Sequence, residues 1–260
     1  MHPSDLDPED ETDLAPYERE LPRRQVRRRY TAKRAAETFE IDGDLTKKAW
    51  AAAEWTEDFV DIEGPLKPEP RHRTRAKLLW DAQHLYIAAE LVEPHLWATL
   101  TERDAVIFHD NDFEVFLNPS CDGLNYYELE VNALGTVWDL VLRKPYRMGG
   151  PADSEWRIEG LRTAVQLDGT LNDPTDTDRG WTVEIAIPFA ALGIHTETPA
   201  APEVGDRWLL NFSRVQWDLE VHEGAYRKVP KTPEHNWVWS PQGMVDMHLP
   251  LRWGWLHFAE

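Results

Sequence analysis

Eight segments of this 260-residue chain alternate apolar and polar side chains with a period of two, which a helix cannot bury. They are TRAKLLW (74–80), HLYIAAEL (84–91), DFEVFLN (112–118), YYELEVN (126–132), TVWDLVL (136–142), WTVEIAIP (181–188), RWLLNFSR (207–214) and WGWLHF (253–258). Breakers stand between them: Asp81-Ala82-Gln83, Pro119 to Gly123, Ala133 to Gly135, Gly149-Gly150-Pro151 and Asn172-Asp173-Pro174. Helical spacing is scarce, with short turns expected at Leu45–Ala53 and Phe189–Leu192. The pattern predicts an all-β fold, an antiparallel β-sandwich of jelly-roll or immunoglobulin-like type, over residues 35–260. A domain of this length buries a core without disulfides or metals, and the lone Cys121 can form no internal disulfide. Residues 1–34, rich in charge and poor in apolar groups, read as a flexible charged extension.

Charge narrows the partners. The net charge is −19, and the eight acids and eight bases of residues 1–34 cancel, so all of it falls on the domain. Such a surface repels nucleic acid and anionic membranes and suits a salt-rich milieu. The basic cluster from Arg23 to Arg34 reads as a solvated arm or a contact for an acidic partner. No apolar run reaches the roughly 18–20 residues of a membrane span. The acidic start MHPSDLDPEDETD is unlike a secretory leader, so the chain as written reads as cytoplasmic.

Thirteen tryptophans exceed what a core ordinarily needs, and some are expected at a surface where an indole face can stack. Alternation puts Tyr127, Leu129 and Val131 toward the core and Tyr126, Glu128, Glu130 and Asn132 on the opposite, wet face. Phe113, Val115 and Leu117 separate likewise from Asp112, Glu114 and Phe116. Neighbouring carboxylates repel, so such a patch needs a reason. A neutral polyhydroxylated ligand supplies one, because sugars call for aromatic planes beside planar hydrogen-bonding groups.

The stretches FEIDGDLTKKAW, TRAKLLWDAQHLYIAAEL, HDNDFEVFLNP, YYELEVNALGTVWDLVLRKPYRMGG, GWTVEIAIPF, RWLLNFSRVQW and NWVWSPQGMVDMHLPLRWGWLHF occur in this order. The chain thereby resembles the family 9 carbohydrate-binding modules, in particular free-standing family-9-like proteins. The resemblance implies a β-sandwich that binds sugar without catalysis, often at a reducing end, between two aromatic rings and beside a carboxylate, an Arg and an Asn. Carried over, the carboxylate is Glu114 and the amide Asn132, while the Arg position holds Glu130, a reversal of charge. The first ring falls at Phe108 and the second near Met247, with Trp239 and Trp253 close by in sequence. The fold carries over; the reducing-end preference does not. Trp138 or Trp239 is the candidate for the second plane, and Arg143 in the basic stretch RKPYR a candidate donor.

The expected partner is therefore an oligosaccharide or polysaccharide, with a carbohydrate-active enzyme as a further candidate partner. No cofactor is expected apart from structural Ca²⁺. Asp42 and Asp44 around Gly43 fit a turn capping a short helix, and an oxygen-rich Ca²⁺ loop is the other reading. The scattered histidines form no H-x-x-x-H pair, and G-x-S-x-G and P-loop motifs are absent. Two further readings stay open: a glycosidase acting through Glu114 and Glu130, and a haem-binding sandwich with Met247-His248 at the ligand position. Trp237 and Trp239 share one face if extended, either in a site or in a packed rim.

Overall fold

The computed structural model describes residues 21, 25–193 and 201–260. The described residues hold fifteen strands: β1 Arg29–Arg34, β2 Val60–Asp61, β3 Thr74–Trp80, β4 His84–Val92, β5 Asp112–Asn118, β6 Tyr126–Asn132, β7 Val137–Leu142, β8 Ala152–Asp153, β9 Arg162–Asp168, β10 Gly180–Pro188, β11 Arg207–Gln216, β12 Leu219–His222, β13 Ala225–Lys228, β14 His235–Val238 and β15 Gly254–Phe258. Among the described residues, helical structure is confined to short 3₁₀ turns, including Lys48–Ala52 and Phe189–Gly193, where helical turns were expected. No described helix is long and apolar enough to cross a membrane.

The strands form two layers. One runs β8-β7-β6-β5-β11-β15, with β14 on the end of β11; the other runs β3-β4-β10-β9. β1 joins them: Arg29–Ala32 pair with β15, and Lys33–Arg34 pair with β3, both in parallel. All other pairings among the described residues are antiparallel. Between the layers lie the inward residues that alternation assigns to a core. Phe113, Val115, Leu129, Val131, Leu210 and Phe212 come from one sheet, and Leu78, Ile87, Ala89, Val183 and Ile185 from the other.

The boundary at residue 34 moves. Residues 1–20 and 22–24 lie outside the described residues, but Arg29–Arg34 belong to the sandwich. Bases conceal the strand in sequence, because only Tyr30 and Ala32 face inward. The Tyr30 hydroxyl accepts from Leu78 N (2.9 Å) and donates to Glu54 O (2.6 Å), and burial pushes its pKa up to about 12. Tyr30→Phe is expected to cost about 1–2 kcal/mol in urea unfolding, because the buried Leu78 N–H and the part-buried Glu54 carbonyl lose their partner. A change within error would show that β1 is not held through this hydroxyl.

The outer faces of both sheets are covered, contrary to the wet face expected for β5 and β6. Every residue of these two strands is buried. Segment 239–253 lays Met247 and Trp253 over Phe116, Tyr126 and Leu140. On the other sheet Trp50, Phe39, Ile41 and Leu45 cover Tyr86, Ala88 and Ala186. The latter cover is anchored by the wholly buried Glu184, which accepts from Asp42 N, Gly43 N, Lys47 Nζ and Trp50 Nε1 at 2.6–3.0 Å. Gly43, at φ +84°, lets the turn present both amides to one carboxylate.

Candidate functional site

The strand register assembles a cleft on the outer face of the β5-β6-β7 sheet. Glu114 stands opposite Glu130, Phe116 opposite Glu128, and Glu130 opposite Trp138. These side chains project from one face and form the floor and one wall of a space of about 470 Å³. Phe108, on the 3₁₀ turn Ile107–His109, completes that wall and stacks on Trp138 with centroids 6.4 Å apart. The turn is fixed from both sides: Phe108 N donates to Glu130 Oε2 (2.9 Å), and Trp217 Nε1 donates to Phe108 O (2.9 Å). Tyr146, Met247 and His248 line the same space. Tyr146 packs edge-on to His248 at 4.4 Å, and Arg147 binds Asp246 to tie the two loops together.

The floor is acidic and its carboxylates are buried. Asp112, Glu114, Glu128 and Glu130 are all buried, and among the described residues none forms an ion pair. Burial pushes Glu114 up to about 7. It raises Asp112, Glu128 and Glu130 well above the carboxylate range, and repulsion within the group adds to the effect. Burial also drives His248 down to about 4, and its Nδ1 lies 3.0 Å from the Tyr126 hydroxyl.

Four of the seven residues singled out from sequence meet here: Phe108, Glu114, Glu130 and Trp138. The other three do not line the cleft. Asn132 is fully buried and spends its amide on Leu100 O, Asp110, Leu134 N and Thr136 N. It holds the β6–β7 turn rather than a ligand. Trp239 is sealed in the core against Phe212, with Nε1 toward Glu57. Trp237 is likewise core, so the pair forms no sugar platform. Arg143 is exposed at the end of β7 and is absent from the lining. Tyr146 went unnoticed because it follows Pro145 in a stretch read for its bases; Met247 and His248 were visible as neighbours but not as part of the lining.

The alternative constellations can be placed as well. Glu114 and Glu130 have carboxylate oxygens within 4.8 Å. Asp42 Oδ1 takes Lys47 Nζ at 2.5 Å and Asp44 N at 2.9 Å, while Asp44 Oδ1 takes Thr46. A Ca²⁺ ion in that loop would have to displace an ammonium already held by Asp42 and Glu184. His248 is engaged by Tyr126 and Tyr146.

The tryptophans separate by what covers them. Nine are buried, and the partly exposed four are Trp55, Trp138, Trp217 and Trp255. Arg75 and Lys77 lie over Trp55, Lys228 over Trp217, and Arg27 and Arg207 over Trp255. Among the described residues, no cation sits over Trp138.

The profile of the "Carbohydrate family 9 binding domain-like" family matches residues 41–211. The chain belongs to this family. Solved structures agree on the fold of this family 9 domain. A Bacteroides uniformis protein provisionally described as carbohydrate-binding superposes with a TM-score of 0.65 at 17% identity, covering 89% of this chain and 99% of that one. A family 9 module from Caldicellulosiruptor kristjanssonii in complex with cellotriose gives 0.56 at 18% identity, covering 89% and 94%. The glucose complex of a family 9 module from the same organism gives 0.56 at 18%, covering 89% and 95%. At these identities the likeness establishes the β-sandwich. No curated protein matches the chain significantly.

Proposed function

We propose that this family 9 domain recognises carbohydrate without catalysis, in the cleft lined by Phe108, Trp138, Tyr146, Met247 and His248. The observation that carries the reading is the indole of Trp138, which stacks on Phe108, has no cation over it among the described residues and lines the cleft. Three of the four partly exposed tryptophans have a Lys or Arg over the ring, and the fourth faces a cleft. A pyranose presents a flat C–H face to such a ring while its hydroxyls donate to carboxylates below. Family membership and the fold shared with the cellotriose- and glucose-bound modules support a glucose-type or β-glucan ligand.

Recognition without catalysis is the reading that family membership supports. Calorimetric titration with a panel of oligosaccharides, run beside a reducing-sugar assay, tests the proposal. Saturable binding without sugar release is expected. No binding across a glycan array, or release that disappears in Glu114→Gln, would overturn it. Trp138→Ala is expected to weaken the best ligand at least tenfold, about 1.4 kcal/mol, with little change in melting temperature.

A further inference from the structure

We propose that Asp112, Glu114 and Glu130 form a binding site for one divalent cation, Ca²⁺ by its chemistry, at the floor of the cleft. One oxygen from each carboxylate lies within 4.8 Å of the others, and all three residues are buried. Oxygens sharing a Ca²⁺ ion at roughly 2.4 Å stand at most about 4.8 Å apart, so the group already has the span of a coordination shell. The donors are all hard anionic oxygens, which select Ca²⁺ or Mg²⁺ over softer metals.

A second observation separates this group from an ordinary acidic cluster. Asp112 Oδ2 is fully buried and has no hydrogen-bond partner, although Oδ1 of the same group accepts from Val215 N at 3.1 Å. A buried acceptor left unmatched is costly, and native proteins seldom retain one. Glu128 stands beside the group on the same strand face, so four carboxylates share the floor, and no ion pair involving them exists among the described residues. One ammonium would cancel one of these charges; a divalent ion cancels two and engages several oxygens at once, which favours the metal over a cationic sugar.

Glu114, Glu128 and Glu130 also line the open cleft. Coordination positions that protein does not fill therefore face the space assigned to the ligand, where water or sugar hydroxyls can take them. This coupling, unlike the metal site itself, rests on the carbohydrate reading above.

The test is calorimetric titration of CaCl₂ into the full chain after EDTA treatment and dialysis, with no sugar present. One saturable site is expected, weakened at least tenfold in Glu130→Gln and in Asp112→Asn and unaffected in Asp44→Asn. Circular dichroism checks that the variants fold, and the wild-type titration needs no variant. Absence of saturable binding to the wild-type chain overturns the site, as does binding lost in Asp44→Asn but kept in Glu130→Gln. Glucosamine that binds the metal-free protein and is indifferent to Ca²⁺ assigns the floor to an ammonium group and also overturns it. Ca²⁺ binding that depends on Glu130, accompanied by no affinity for any sugar, supports the metal site and sinks only the carbohydrate proposal.

Discussion

Replacing Arg214 with alanine is expected to cost about 3–5 kcal/mol, because it leaves a buried carboxylate without its charge partner. Arg214 sits on β11, in the sheet that carries the cleft, and is 1% exposed. Its guanidinium reaches the other sheet: Nη1 donates to Thr74 Oγ1 (3.0 Å) and Val92 O (2.9 Å), and Nη2 pairs with Glu93 (2.9 Å). Gln216 Oε1 accepts from Nε and Nη2. Every donor faces an acceptor, so the ion survives burial even though desolvation lowers its pKa. Truncation strips Glu93 of this partner, and in urea unfolding a shift of several kcal/mol should appear. The double variant Arg214→Met, Glu93→Gln should recover a large part of the loss, since no lone charge remains. A single variant as stable as wild type would mean that the sheets are not held together through this residue.

The second large effect is a dependence on acid carried by His248. Burial lowers its pKa from 6.5 to about 4, against the opposing pull of Asp246. Above pH 6.5 the ring is neutral in both folded and unfolded chains and contributes no pH dependence. As pH falls from 6.5 to about 4 the unfolded chain takes up a proton that the folded one resists, so folding stability declines through that window. Below the folded pKa the loss is complete, at about 3 kcal/mol for a shift of this size. The raised carboxylates of the cleft floor act in the opposite sense, gaining stability as they protonate. The expected signature is therefore a difference between proteins. His248→Gln should lose less stability than wild type between pH 7 and pH 4, by about 3 kcal/mol. Parallel pH profiles for the two proteins would show that His248 titrates normally.

Sequence exposed the strands whose two faces differ sharply and hid those whose faces do not. β3 to β7, β10, β11 and β15 stand out because bulky apolar residues recur every second position. β9 has only partly buried Thr163, Ala164 and Val165 on a largely exposed strand, and its alternation is faint. β1 is obscured by the bases around Tyr30 and Ala32. The assumption of one wet face failed for a different reason. Segments 35–53 and 239–253 cover the outer sides of the sheets through irregular chain, which carries no period.

The site divides along the same line. Glu114, Glu130 and Trp138 could be read because strand register alone brings them together. Phe108 came from the family resemblance, and its place is set by hydrogen bonds from Trp217 and to Glu130. Trp239 misled because a core indole and a ligand-stacking indole look alike in sequence; Gly254, against which the Trp239 ring packs, gives no hint of the burial. Tyr146 and His248 belong to loops whose approach to each other is a tertiary fact.

Nitrogen-15 NMR of the tryptophan indoles, followed during titration with the best-binding oligosaccharide, tests the placement of the ligand most directly. This placement predicts that the Trp138 Nε1–H signal shifts on saturation. Trp55, in a separate groove beside Arg73 and Glu90, should stay in place. A titration that moves Trp55 and leaves Trp138 fixed would contradict it.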